Sequence, residues 1–173
     1  MKKCFLLAVL CSAAILFLYL PSIVGEKFLP QGFSADEIIV LKSARKMMLL
    51  KGGDTVKTYR ICLGSDPLGP KERQGDGRTP EGSYFIDWRK SKSLYHLALH
   101  VSYPNPADIA KARKNHVSPG GMIMIHGLPN GFVAPNDGRP LPDWTDGCIA
   151  VTNPEIEEIW RCVRDGTKII ILP

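Results

Sequence analysis

No acidic residue precedes Glu26 in this 173-residue chain, and beyond that point no apolar run is long enough to span a bilayer. A multi-span membrane protein is therefore excluded. Internal repeats, coiled-coil heptads and low-complexity tracts are also absent, which sets aside solenoids, long coiled coils and wholesale disorder. Charge of one sign is scarce. With Lys2 and Lys3 set aside, 20 Lys and Arg face 17 Asp and Glu, an evenly spread excess too small to argue for nucleic acid as a partner. Cysteine is thin as well: Cys4 and Cys11 fall in the N-terminal segment, leaving Cys62, Cys148 and Cys162. An odd count outside the cytoplasm leaves at least one thiol free. Cys62 and Cys162 read as small buried hydrophobes, with a 62–162 disulfide as the alternative. Close-spaced ligand pairs are missing too, so a zinc site drawn from His100, His126, Asp146 and Cys148 is not expected.

What the chain does have begins with Met1–Gly25, a basic start at Lys2 and Lys3 followed by an apolar stretch from Cys4 to Leu20. Such a segment inserts with its N-terminus in the cytoplasm, which places the remainder in the periplasm or cell envelope. It reads as a signal peptide or an N-terminal membrane anchor. Ser22-Ile23-Val24-Gly25 matches an A-x-A cleavage site poorly, which favours an anchor holding the membrane through residues 4–24. Residues 26–35 form a linker, and residues 36–173 are left for one domain.

In that domain the 16 Gly and 14 Pro of the chain favour a turn-rich, mainly β fold. Glu37–Leu41 and Arg45–Leu50 read as strands, with Lys51-Gly52-Gly53-Asp54 turning the chain into a third strand at Val56–Leu63. Gly64–Pro80, with four Gly and three Pro, reads as a long loop, and loops of that length usually carry function. Further strands are expected at Ser83–Trp88, Leu94–Val101, Met122–Ile125 and Ile169–Leu172. Helices are expected at Pro106–His116 and Asn153–Val163, the second N-capped by Asn153 with Pro154 at its first position.

Two residues carry the chemistry: His126, delivered by an apolar strand, and Cys148 in Trp144-Thr145-Asp146-Gly147-Cys148-Ile149. A thiol needs a base or a positive surrounding to react near neutral pH, and imidazole is the usual partner. Gly147 lets the backbone come close to a substrate, and its N–H with that of Cys148 could cradle an oxyanion. Spacing alone is equally compatible with a buried strand cysteine and a core histidine.

The segments Thr79-Pro80-Glu81-Gly82, Ile125-His126-Gly127 and Thr145-Asp146-Gly147-Cys148, in this order, resemble the signature of the L,D-transpeptidase catalytic domain, the YkuD-type family. The resemblance runs from about Asp36 to Leu172. It implies an α+β fold, a β-sandwich of mixed sheets with short helices. Cys148 would be the nucleophile and His126 the general base, oriented by the Gly127 carbonyl, with Gly147 and Cys148 supplying oxyanion N–H groups. The implied substrate is a peptidoglycan stem tetrapeptide, attacked at the L-centre of its third residue, with a wall-anchored lipoprotein as a further candidate partner and no cofactor. The thioester would pass to an amine or to water; an inactive wall-binding module is the rival from another class. Two positions depart from the pattern: Asp146 stands where the family usually has His, and Ala150 where Arg or Asn is common. Arg139 or Arg78 could supply the missing cation, His100 and Trp144 could line the site, and Asp146 would disfavour a neighbouring thiolate.

Overall fold

The computed structural model describes residues 28–135 and 140–173. The N-terminal 25-residue segment and Arg139 lie outside the described residues. Strands β1 (Glu37–Leu41), β2 (Lys46–Lys51) and β3 (Asp54–Arg60) form an antiparallel meander, turned between β2 and β3 by Gly52 and Gly53, both at positive φ. Strand β4 (Gly82–Ser93) is followed by β5 (His96–Val101), helix α1 (Pro106–Lys114), β6 (Met124–His126), β7 (Ile149–Ala150), helix α2 (Asn153–Cys162) and β8 (Lys168–Leu172). The strands lie in the order β3-β2-β1-β8-β4-β5-β6-β7, parallel at β1/β8 and β6/β7 and antiparallel elsewhere.

β4 belongs to both halves of this mixed sheet. Gly82–Phe85 pair with β8, and Ile86–Ser93 pair with β5 across two irregularities. The chain leaving β3 then returns to the far edge, where Cys62 bridges Ala150 and Gly64 bridges Thr145. The sheet thus folds back until its two ends meet, and the inward residues fuse into one core. Ile38, Val40, Met47, Leu49, Leu99, Val101, Ile125, Ile149, Ile169 and Ile171 are fully or almost fully buried, joined by Ile156, Ile159, Cys162 and Val163 at α2. Cys62 and Cys162 are both buried free thiols.

Three local expectations are corrected. β4 runs five residues past Trp88 because its second half finds a partner in β5. β5 begins at His96 because Leu94 and Tyr95 form the turn, and His96 itself sits at φ 64°. Thr152 precedes α2 as its cap, with its N–H and hydroxyl both donating to the Glu155 carboxylate at 2.8 and 2.6 Å. Asn153 is released from capping and accepts a hydrogen bond from the Leu128 N–H at 2.8 Å.

The long loop from Gly64 to Pro80 has almost no regular structure and is held by side chains. The Asp76 carboxylate accepts from Lys71 Nζ (2.7 Å) and from the N–H groups of Glu72, Arg73 and Arg78. Thr79 Oγ1 accepts from the Gly64 N–H at 3.2 Å, and the buried Lys42 ammonium donates to the Thr79 carbonyl and to Glu81. These bonds satisfy backbone groups that a sheet would otherwise satisfy.

Candidate active site

β6 is three buried residues long and ends at His126. Its central Ile125 lies between Leu99 of β5 and Ile149 of β7, while His126 lies between Ala98 and Ala150. The imidazole is 3% exposed. Its Nδ1 is 2.7 Å from the Gly127 carbonyl oxygen, so Nδ1 carries the proton and donates, and Nε2 keeps its lone pair. Gly127 cannot be larger. A Cβ there would lie 2.6 Å from Asn153 Oδ1 and 3.0 Å from Ile156 Cγ2. The ring is boxed by Tyr95 (centroids 4.6 Å apart) and Trp144 (5.6 Å). Burial holds the His126 pKa below its ordinary 6.5, with the Gly127 bond acting the other way.

Cys148 stands at the end of a turn that Thr145 organises. The Thr145 hydroxyl donates to the Cys148 carbonyl at 2.7 Å and accepts from the Gly147 N–H at 3.2 Å. Gly147 sits at φ 125°, and a Cβ there would lie 2.5 Å from the Arg78 carbonyl oxygen, so the position admits only glycine without strain. The Cys148 thiol is half-buried, 3.5 Å from the Met122 carbonyl. Its pKa lies above the ordinary 9.0: burial raises it most, a Met124 backbone contact lowers it, Asp146 raises it, and Lys71 lowers it. A raised thiol and a lowered imidazole make the resting pair neutral at pH 7.

His126 and Cys148 open into the same cleft of about 350 Å³, which Tyr95, Ala98, Met122, Met124, Trp144 and Asp146 also line. Asp146 is exposed there, near enough to act on the thiol. Other expected residues are placed differently. The Gly147 N–H is occupied within the turn, donating to the Thr145 hydroxyl, whereas the Cys148 N–H has no partner among the described residues. Arg78 turns its side chain away to Asp66 (2.9 Å) and offers the site only its carbonyl, beneath Gly147. His100 does not line the cleft: it pairs with Asp87 at 2.7 Å and stacks on Trp88, because its strand continues away from His126. Ala150 is buried and lines a separate cavity with Cys62 and Leu141, so a long cation there would not point at the thiol. Lys90 and Tyr95 also line the cleft. They arrive from a strand and a turn well before His126 in the chain, and no spacing links them to it. Among the described residues no group of three or more His, Cys, Asp or Glu side chains is placed to hold a metal ion.

A half-buried thiol and an imidazole with a fixed tautomer that line one cleft suit acyl transfer through a thiol. The YafK protein of Escherichia coli (strain K12), which carries a provisional L,D-transpeptidase name, is 37% identical over 108 residues, 61% of this chain and 36% of that one. The match therefore spans little more than a third of that relative's length. Among solved structures, the helical cell shape determining protein Pgp2 of Campylobacter jejuni superposes with a TM-score of 0.59 at 23% identity, covering 83% of this chain and 49% of that one. Bdellovibrio bacteriovorus Bd1075 gives 0.55 at 29%, covering 84% and 54%. The L,D-transpeptidase from Xylanimonas cellulosilytica gives 0.54 at 15%, covering 83% and 63%. The family model described as the L,D-transpeptidase catalytic domain matches residues 35–171, nearly all of the described fold. The chain belongs to the L,D-transpeptidase catalytic domain family.

Proposed function

We propose that this protein is an extracytoplasmic cysteine acyltransferase acting on peptidoglycan stem peptides, carried outside and held near the membrane by residues 1–25. The observation that supports it is the joint opening of His126 and Cys148 into one cleft. His126 Nε2 takes the thiol proton as Cys148 Sγ attacks the carbonyl carbon at the L-centre of the third residue of a tetrapeptide. The developing oxyanion accepts from the Cys148 N–H. Collapse breaks the amide bond, and the terminal D-Ala leaves as an amine with the proton returned from His126. An acceptor amine then attacks the thioester, gives its proton to His126 and frees the thiol. A 3→3 crosslink or an anchored protein results.

Water in place of the amine gives the hydrolytic reading, in which the site trims stem peptides or releases wall-linked lipoprotein. Asp146 favours it. A carboxylate lining the cleft stabilises the ammonium form of an incoming amine, which cannot attack, and leaves water unaffected.

Mass spectrometry of the full chain in mild detergent, incubated with disaccharide-tetrapeptides, separates the two. D-Ala loss with a linked dimer is the expected result for transfer, and D-Ala loss without a dimer marks hydrolysis. Cys148→Ala and His126→Ala should each lose most turnover with folding intact. Wild-type turnover in either variant, or no thioester and no product in the parent chain, overturns the proposal and leaves a wall-binding module.

A further inference from the structure

The cleft has a second charged end. Lys90 lines it with His126 and Cys148, and among the described residues it is the one Lys or Arg that does. Its place is fixed by the sheet register. Lys90 pairs with Ala98, and Ala98 pairs with His126, so the three stand in one row across β4, β5 and β6. Paired residues share a face of the sheet. Two strand spacings put the Lys90 backbone about 10 Å from that of His126, with the small Ala98 as the floor between them.

Lys42, Lys51, Lys71, Lys111 and Lys168 all hold carboxylates within 3.0 Å. Lys90 is exposed and holds none among the described residues. The wall beside it is largely apolar, with Leu94, Tyr95, Ala98, Met122 and Met124, which weakens screening and concentrates its field in the cleft. Asp146, the cleft's one carboxylate among the described residues, stands on the Cys148 turn and forms no ion pair with Lys90. The cleft is thus polarised, positive on the β4 side and negative on the nucleophile turn.

We propose that Lys90 is a specificity-determining residue that binds a carboxylate of the acyl donor while its scissile carbonyl lies at Cys148. The inference rests on the acyl-donor reading above and deepens it. A stem tetrapeptide offers three carboxylates within reach: that of the second residue, a glutamate linked through its γ-carboxyl; that on the side chain of the third; and that of the terminal D-Ala. All three share the chemistry Lys90 recognises, a carboxylate within a few residues of the reacting carbonyl.

Steady-state release of D-Ala, or of its amide, by the full chain on four substrates tests this: the tetrapeptide with all carboxylates free, and three versions each with one carboxylate amidated. Lys90→Ala should raise KM about tenfold on the free tetrapeptide with little change in kcat, and Lys90→Arg should restore most of it. On the version lacking the carboxylate that Lys90 binds, parent and Lys90→Ala should perform alike, which names the group. An unchanged KM in Lys90→Ala, or an equal loss on all four substrates, overturns the role of Lys90 while leaving Cys148 acylation in place. Failure of the parent chain to release D-Ala or its amide from any of the four overturns the acyl-donor reading and this inference with it.

Discussion

Asp146 works against a thiolate at Cys148, two residues downstream, and its removal gives a direct readout. Asp146→Asn should bring the Cys148 thiol down towards its ordinary value and speed its alkylation by iodoacetamide several-fold at neutral pH, measured with Cys62 and Cys162 left in place as buried thiols. An unchanged rate would mean that the Asp146 charge does not reach the thiol. His126 gives a pH dependence of opposite origin. Its folded pKa lies below 6.5, so the folded base stays neutral where an unfolded imidazole is already taking up a proton. Stability from this residue is complete above the unfolded value and falls as pH drops below about 6.5, which urea titrations at pH 7.5 and 5.5 on the parent and His126→Gln will show as a smaller drop in the variant. Gly147→Ala should cost about 1–3 kcal/mol in backbone strain alone, and should lose turnover because the Arg78 carbonyl forces the turn to move. That His126 and Cys148 share a cleft, and that the turn before Cys148 demands a glycine, was legible in the sequence because motifs mark those positions. The directions of Arg78 and His100 were not legible, because they are set by partners, here Asp66 and Asp87, that no spacing reveals.

Among the elements, the loop from Gly64 to Pro80 gathers four donors on one carboxylate, that of Asp76. Burial raises the Asp76 pKa, but the Lys71 ammonium and three backbone N–H groups outweigh it and hold the pKa at about 2. A depressed carboxylate stabilises the fold above its unfolded value, and that stability is lost as pH falls from about 4 towards 2. Asp76→Asn should cost about 2 kcal/mol at pH 7, seen as a lower urea midpoint and a flatter acid transition. An unchanged midpoint would show that the loop orders itself without Asp76. The β-meander was readable from alternation around Gly52 and Gly53. β7 was not, because two residues carry no periodicity and are a strand only by pairing with β6. Asn153 shows the same limit: its type suits a cap, but Thr152 takes that role and the amide ties α2 to the residue after Gly127.

For the whole molecule, the seam where Cys62 meets Ala150 and Gly64 meets Thr145 joins the opening meander to the Cys148 turn. A Cβ on Gly64 would lie 2.0 Å from the Gly77 carbonyl oxygen and 3.0 Å from Gly147 Cα. Gly64→Ala should therefore destabilise the protein by about 3 kcal/mol or more and abolish turnover even where the variant stays folded, and calorimetry together with D-Ala release will separate the two effects. A variant with parent-like activity would show that the seam does not brace the turn. The mainly β class followed from glycine and proline. The closing of the sheet on itself did not, since it joins residues far apart in the chain.

That closing has a consequence in time. His126 arrives on β6 and Cys148 after it, and the Cys148 turn is clasped by Cys62 and Gly64, which lie far earlier in the chain. Contacts of such sequence separation form late in folding. Until the two ends of the sheet meet, the chain carries the Cys148 thiol without the seam that shapes its turn, so the surroundings of that thiol are set only when the sheet closes.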